Sequence, residues 1–236
     1  YLNQINGDHV KSEHAIAALD AATSGPVAEG NVGGGTGMNC YSFKGGSGTA
    51  SRLVSYDDRT YTVGAFLQAN FGSRAEFTVA GRKLGQESAA PAPIEYSNWF
   101  GGEFDEARRS APGAGSVIVI IGTDAPLLPG QCAALARRVP LGLGRTGTVG
   151  GHFSGDIFLA FSTANEGALI SQMGDERTFD SLSFVPWGRI DAFYTAVVQA
   201  VEEAVLNALV AAEDLAGRDG HISYALPHDE VRAAFA

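Results

Sequence analysis

Residues 110–121 read SAPGAGSVIVII, a stretch of small residues that runs directly into Ser116 and five consecutive Val and Ile residues. Such a β-branched run, bounded by glycine and threonine, is typical of a fully buried strand. A serine that opens a buried strand behind a small-residue linker is what a self-processing hydrolase needs. Cleavage of the Gly115–Ser116 bond would give Ser116 a hydroxyl nucleophile and its own free amine as general base.

The same local pattern has an ordinary interpretation, because most serines that open a strand are polar residues following a loop. The chemistry of the base favours the self-processing alternative. At pH 7 a lysine with a pKa of about 10.4 is neutral in less than ~0.1% of molecules, whereas an α-amine with a pKa of about 7.7–8.0 is neutral in roughly a tenth. The amine released by cleavage is therefore the better-populated base, and it sits on the nucleophile itself.

The composition limits the partners. The 236 residues carry a formal net charge of −10 and a pI near 4.9. We expect neither nucleic acid nor an anionic membrane surface as a partner, since both select basic surfaces. No apolar run approaches the ~18 residues of a membrane span. No targeting segment is visible in a chain that starts at Tyr1, and we expect a cytoplasmic protein, with the periplasm as the alternative.

The sequence lacks the motifs of disulfide, metal, nucleotide-binding and Ser-His-Asp sites. Cys40 and Cys132 form neither a disulfide framework nor a metal spacing, so we expect two buried thiols, no metal and no cofactor. The glycine-rich stretches at 29–37 and 44–49 lack the strand, helix and acidic residue of a dinucleotide loop and the Gly-Lys-Ser/Thr of a P-loop. We expect these glycines instead to let the main chain lie close to neighbouring main chain or to a substrate. No Gly-x-Ser-x-Gly elbow accompanies the five histidines, and His152, two residues from Ser154, is best interpreted as a loop residue.

The apolar periodicity predicts mixed α+β structure. The predicted elements are helices over 12–22, 129–139 and 190–215, a hairpin over 53–72 with its turn at 57–59, and strands over 74–80 and 155–164. Residues 85–115, rich in Pro, Gly, Ala and Ser, are the predicted linker. Strands and helices do not alternate strictly, which favours a layered arrangement over a doubly wound sheet.

Five ordered segments resemble one family of enzymes. They are similar to the signatures of the L-aminopeptidase/D-amidase-esterase and β-peptidyl aminopeptidase family, and they span residues 29–38, 44–52, 61–72, 115–126 and 154–163. The resemblance implies an αββα four-layer sandwich akin to N-terminal-nucleophile hydrolases, with a different strand connectivity. It also implies self-cleavage before the serine and release of N-terminal amino acids from peptides, amides or esters.

The resemblance also assigns residues. Ser116 would be the nucleophile, Gly115–Ser116 the cleavage site and Asn70 the donor to the oxyanion, with Gly155 beside the substrate. Ser154 and Asp156 would form hydrogen-bonded support around Ser116. Some relatives carry Glu at the position of Asp156, and the aspartate reaches about one methylene less far.

The resemblance further predicts the organisation of the chain. Residues 1–115 would be the C-terminal part of an α-subunit segment, and 116–236 a β-subunit segment, together forming one composite domain. Relatives carry about a hundred or more residues ahead of a motif like Tyr1-Leu2-Asn3, including groups that bind the substrate amine. We therefore expect a further piece, a substrate with a free amino terminus, and a homo-oligomer of processed heterodimers.

Two alternatives stay open on the sequence. One is an acyltransferase of the ornithine acetyltransferase type, which resembles this chain less and has threonine where Ser116 stands. The other is a catalytically silent binding or assembly protein that retains the glycine-rich scaffold. An intact Gly115–Ser116 bond in the mature protein would favour the silent scaffold, and faster acyl transfer to an added amine than to water would favour the acyltransferase.

Overall fold

A computed structural model describes residues 1–96, 115–174 and 176–236, so most of the predicted linker, 97–114, lies outside the described residues. The described strands are β1 Asn39–Cys40, β2 Phe43–Lys44, β3 Gly46–Tyr56, β4 Arg59–Asn70, β5 Ser116–Thr123, β6 Ile157–Ser162, β7 Leu215–Ala216 and β8 Ile222–Ser223. The described α-helices are α1 Ser12–Asp20, α2 Leu84–Glu87, α3 Pro129–Ala136, α4 Val139–Arg145, α5 Asp191–Val210 and α6 His228–Ala234.

Four strands form the main described sheet, in the order β3-β4-β5-β6. The first three are antiparallel neighbours, whereas β5 and β6 run parallel. A parallel pair needs a crossover, and here α3 and α4 lie in the connection between the two strands. Strand β5, which begins at Ser116, is therefore central, with a partner strand on each side.

One face of this sheet is buried beneath helices. Along β5 the side chains alternate, and Val117, Val119 and Ile121 are all at most 1% exposed. Helix α5 covers β3 and β4, and α3 packs against β6. Gly48 allows α5 to approach, since a Cβ there would lie 2.0 Å from the Ala204 carbonyl oxygen.

The opposite face of the sheet is apolar and open. Ile118, Leu159 and Phe161 lie on it and are 42%, 56% and 46% exposed. Ser116 shares this face with Ile118 because the two are separated by one residue along β5. Among the described residues, no helix or second large sheet covers these side chains. The nucleophile candidate therefore lies on the uncovered face.

The predicted hairpin and most predicted helices are confirmed, with different bounds. The hairpin strands extend from Gly46 to Asn70 around a turn at Asp57, which has a positive φ of 52°. The predicted helix near Pro129 ends at Ala136, and Pro140 lies in the first turn of α4, where its missing N–H costs nothing. Helix α5 ends at Val210, since the chain beyond it pairs in the small β7–β8 sheet.

The strand predicted over 74–80 is wrong. A 3-10 turn, Arg74–Glu76, occupies this region, followed by an isolated bridge between Val79 and Arg82. The Arg74 guanidinium is buried and donates to the carbonyls of Tyr41, Ser42 and Ala90, which draws this segment into the core.

Helix α1 exposes its apolar residues, and helix α5 is unusually long and apolar. A helix over 12–22 places Ile16 and Leu19 on one face, but in α1 they are 60% and 78% exposed, and the described residues of this helix contribute nothing to the buried core. Helix α5 has the length and composition of a membrane span, although no apolar run of the sequence predicts one. Its buried side packs on β3 and β4, as in the core helix of a globular domain.

Candidate active site

Three neighbouring strands bring the predicted site residues to one edge of the sheet. Asn70 ends β4 and pairs directly with Ser116, which begins β5. Immediately before β5, Gly115 forms a parallel bridge with Ser154, which lies just ahead of β6. Because the C-terminal end of β4 meets the N-terminal ends of β5 and β6, residues far apart in sequence become adjacent. Asn70, Ser116 and residues 154–156 thus form a candidate active site.

The Gly115 carbonyl lies at the centre of this site. Ser116 Oγ donates to the Gly115 carbonyl oxygen at 2.6 Å, and the Gly155 N–H donates to the same oxygen at 3.1 Å. Gly155 also leaves room for the hydroxyl, since a Cβ there would lie 3.2 Å from Ser116 Oγ. The Gly115 carbonyl oxygen is therefore in contact with both the Ser116 hydroxyl and a backbone donor.

The Asn70 side chain is held in one orientation. Its Oδ1 accepts a hydrogen bond of 2.9 Å from the backbone N–H of Asn39. A backbone N–H can only donate, so the atom facing it must be the amide oxygen and not the nitrogen. Within the described ranges Nδ2 donates to no other group, which leaves it available to a developing oxyanion.

Ser154 and Asp156 are joined to each other. Ser154 Oγ donates to Asp156 Oδ1 at 2.6 Å, and Asp156 is exposed. Within 1–96, 115–174 and 176–236, neither side chain hydrogen-bonds Ser116, although the backbone of Ser154 forms a bridge with Gly115 next to it. Bonds in catalytic sites often tighten only when substrate binds.

Sequence reasoning missed the residues that hold Asn70. Asn39 supplies its backbone N–H, while its own Oδ1 accepts a 2.5 Å bond from Ser223 Oγ. Lys44 is fully buried nearby and donates to three backbone carbonyls. The available signal was a lysine within a glycine-rich stretch, since a buried lysine must find acceptors.

The cysteines, His152 and possible metal ligands do not add catalytic groups to this site among the described residues. Cys40 and Cys132 are buried and free, as expected, and burial raises the pKa of both thiols. His152 is exposed and packs against Phe153. Across the described parts of the chain, no three His, Cys, Asp or Glu side chains group as metal ligands would.

Comparisons with known proteins match nearly the whole chain. It is 49% identical over 234 residues to β-peptidyl aminopeptidase BapA of Sphingosinicella microcystinivorans, covering 98% of this chain and 57% of the relative. A second BapA, of Sphingosinicella xenopeptidilytica, is 42% identical over 236 residues, covering 98% of this chain and 56% of that relative. The chain thus spans somewhat more than half the length of the curated relatives that it matches.

Solved structures support the predicted fold. The L-aminopeptidase D-ala-esterase/amidase of Ochrobactrum anthropi, described as a prototype for the serine aminopeptidases and a new variant among the Ntn hydrolase fold, matches with a TM-score of 0.84 and 42% identity. The match covers 99% of this chain and 59% of that one. A Burkholderia β-aminopeptidase matches with a TM-score of 0.82 and 42% identity, covering 99% and 61%.

These matches confirm the predicted αββα architecture, and the described residues include a four-stranded sheet with helix α5 packed on one face. The model of peptidase family S58 matches residues 1–223, a range that includes Asn70, Ser116 and Asp156. The chain belongs to peptidase family S58.

Proposed function

We propose that this chain is part of a self-processing serine aminopeptidase or amidase, which cleaves its own Gly115–Ser116 bond and then releases N-terminal amino acids from peptides, amides or esters. One observation carries the proposal. Ser116 Oγ and the Gly155 N–H both contact the Gly115 carbonyl oxygen, while Asn70 pairs directly with Ser116. A candidate nucleophile and a backbone donor thus contact the carbonyl of one peptide bond, and a second candidate donor lies on the paired strand.

The self-cleavage step follows from this geometry. Ser116 Oγ attacks the Gly115 carbonyl carbon and gives up its proton, and the negative charge that forms on the carbonyl oxygen is stabilised by the Gly155 N–H. The Ser154–Asp156 pair, once it moves into hydrogen-bond contact with Ser116 Oγ, takes the proton and passes it to the departing amine. The C–N bond breaks, which leaves an ester at Oγ and a free α-amine on Ser116. Water then hydrolyses the ester.

The hydrolytic cycle uses the amine so released. It accepts the proton of Ser116 Oγ as that oxygen attacks the substrate carbonyl. Asn70 Nδ2 donates to the oxyanion that forms, because its Oδ1 is already occupied by Asn39. The leaving group departs with a proton, and water releases the acyl group from Ser116.

The relatives favour hydrolysis of N-terminal bonds. The curated relatives are named β-peptidyl aminopeptidases, and a solved relative is named an L-aminopeptidase D-ala-esterase/amidase. We infer a substrate of the same class, a small peptide, amide or ester with a free amino terminus. Neither the acyltransferase nor the silent scaffold is favoured by these names.

The uncovered sheet face suggests how the enzyme is completed. Apolar side chains on the face that carries Ser116 are about half exposed, which is unusual for the centre of a domain. We propose that the second sheet of the sandwich covers this face and supplies the carboxylate that binds the substrate amine. The two processed subunits would then remain associated and form higher homo-oligomers.

We propose a cytoplasmic location. Cys40 and Cys132 are both free thiols, which is common in a reducing compartment. Cell fractionation of the native host would test this, and recovery in a periplasmic extract would contradict it.

Intact mass and N-terminal sequencing of the purified full-length protein test the function. We expect two fragments, one beginning at Ser116, and hydrolysis of an aminoacyl p-nitroanilide. Ser116→Ala should remain uncut and inactive, because both reactions need the hydroxyl. Ser51→Ala, on the exposed part of β3, serves as the control and should process normally. Cleavage of Ser116→Ala at this bond would contradict the proposal, and an uncut, inactive parent protein would favour the silent scaffold.

A further inference from the structure

Lys44 is a buried charge with an unusual set of partners. Its side chain is fully buried, and Nζ donates to the carbonyl oxygens of Gly35 at 2.9 Å, Met38 at 3.0 Å and Gly45 at 2.7 Å. Among the described residues it forms no ion pair with a carboxylate. A buried ammonium is costly, so its three acceptors must all be held in place to compensate for lost water.

One of these acceptors leads directly to the candidate active site. The Met38 carbonyl belongs to the peptide group that joins Met38 to Asn39, and the N–H of that same peptide donates to Asn70 Oδ1 at 2.9 Å. The ammonium, one peptide group and the Asn70 amide therefore form a continuous chain of hydrogen bonds. Gly45 N–H adds a second bond of 2.9 Å to the Met38 carbonyl.

We propose that Lys44 is a positioning residue for the reaction, acting through the Met38–Asn39 peptide to orient and polarise the Asn70 amide. The proposal rests on the proposed function, in which Asn70 Nδ2 stabilises the oxyanion. Nothing in it requires Lys44 to touch substrate, since its Nζ is fully occupied by backbone carbonyls.

The physical argument has two parts. Bonds in a hydrogen-bonded chain polarise one another, and the effect is larger where the dielectric is low. A positive charge on the Met38 carbonyl makes the Asn39 N–H a stronger donor, which in turn draws electron density towards Asn70 Oδ1 and makes Nδ2 a stronger donor. The fixed peptide also prevents the amide from rotating, so no reorganisation is needed when the oxyanion forms.

A purely structural role predicts something different. Lys44 also binds the Gly35 and Gly45 carbonyls, so it stabilises the glycine-rich segment whatever the state of Asn70. If Lys44 has only this structural role, its loss should lower stability, and it should lower kcat by the same factor whether Asn70 or Asn70→Ala is present. The two roles are therefore separated by whether the effect on kcat depends on Asn70.

A double-mutant cycle makes this comparison on the processed full-length enzyme. It uses Lys44→Met, Asn70→Ala and the double variant, with kcat and KM measured on an aminoacyl p-nitroanilide and rates normalised to titrated active sites. Lys44→Met should lower kcat on the order of tenfold with little change in KM, yet change it less than about twofold when Asn70→Ala is already present. Lys83→Met, an exposed lysine, is the matched control and should leave kcat unchanged.

Each other outcome has a distinct meaning. An equal loss of kcat in both backgrounds would overturn the proposal and leave Lys44 as structural support only. A normal kcat for Asn70→Ala alone would instead contradict the proposed role of Asn70. If Lys44→Met does not fold, the cycle is run with Lys44→Gln and Lys44→Arg. The proposal then requires Lys44→Arg to have a higher kcat than Lys44→Gln when Asn70 is present, and the two to have the same kcat when Asn70→Ala is also present. An equal kcat for Lys44→Arg and Lys44→Gln when Asn70 is present would overturn it.

Discussion

Asn70 and Ser116 are direct partners across the antiparallel β4–β5 pair, at the end of the sheet where β4 finishes and β5 begins. Paired residues of adjacent strands project from the same face, so the amide and the hydroxyl emerge side by side. The β4–β5 register therefore brings together two groups separated by a long stretch of chain, and several consequences can be measured.

Removal of the Asn70 amide should slow turnover. In the proposed mechanism Nδ2 meets the charge only as the oxyanion develops, so Asn70→Ala should lower kcat by roughly 10²–10³-fold while KM changes little. Steady-state kinetics of the processed enzyme measure this, with Ser51→Ala as the control on the same sheet. A near-normal kcat in a folded Asn70→Ala protein would show that Asn70 only ends a strand.

A methyl group at position 155 should slow self-cleavage. Gly155→Ala places a Cβ 3.2 Å from Ser116 Oγ, which pushes the hydroxyl away from the Gly115 carbonyl carbon. Small displacements from the attacking geometry are costly, and we expect roughly ten- to hundredfold slower appearance of the two fragments. The matched control is Gly188→Ala, because a Cβ there meets nothing within 4 Å. Equal processing of the two variants would argue against the proposed attack geometry.

Acetylation of the substrate amine should abolish most activity. An aminopeptidase recognises a charged amino terminus, and a hydrogen bond to a charged group contributes about 1.5–3 kcal/mol, or roughly 10- to 150-fold in kcat/KM. We therefore expect an aminoacyl p-nitroanilide to be cleaved and its N-acetyl form to be nearly inert. Equal rates on the two substrates would leave a general amidase rather than an aminopeptidase.

The close approach of α5 to β3 should make position 48 intolerant of side chains. A Cβ on Gly48 would lie 2.0 Å from the Ala204 carbonyl, so Gly48→Val must push the helix away and should lower the free energy of unfolding by about 1–3 kcal/mol or more. Gly130→Ala, within α3 and with no atom near its Cβ, should be neutral or stabilising. Denaturant unfolding of both variants tests the contrast, and similar midpoints would contradict it.

Lys44 should give stability a distinctive pH dependence. Burial lowers the pKa of Lys44 from 10.5 to about 8, so between these values the unfolded chain binds more protons than the folded one. The contribution of Lys44 to the free energy of unfolding therefore rises with pH across that window. Burial raises the pKa of Cys40 and Tyr41, which acts in the opposite direction at high pH.

The difference between the parent and Lys44→Met isolates this contribution. Denaturant unfolding at pH 7 and at pH 10 should show the parent gaining stability relative to Lys44→Met at the higher pH. A constant difference across this range would mean that the Lys44 ammonium is not perturbed by burial.

Strand β5, the β3–β4 hairpin and helix α5 follow from local sequence. Five β-branched residues after Ser116 favour extended backbone, and the repeat of apolar residues along α5 favours a helix with one buried side. The segment at 74–80 was misassigned because a buried Arg74, bonded to three distant carbonyls, overrides the local preference for a strand.

The sequence by itself determined mixed α+β structure through its apolar periodicity, and its resemblance to one family implied the layered fold and the candidate catalytic residues, since motifs and periodicity are properties of neighbouring positions. Only the tertiary structure decided that Asn70 faces Ser116, that the Gly155 N–H contacts the Gly115 carbonyl, and that Lys44 reaches Asn70 through one peptide group. Those contacts depend on the register of the strands and on which backbone carbonyls accept hydrogen bonds from the buried Lys44 ammonium. Both are settled by burial and hydrogen bonding between segments far apart in sequence, which no local pattern records.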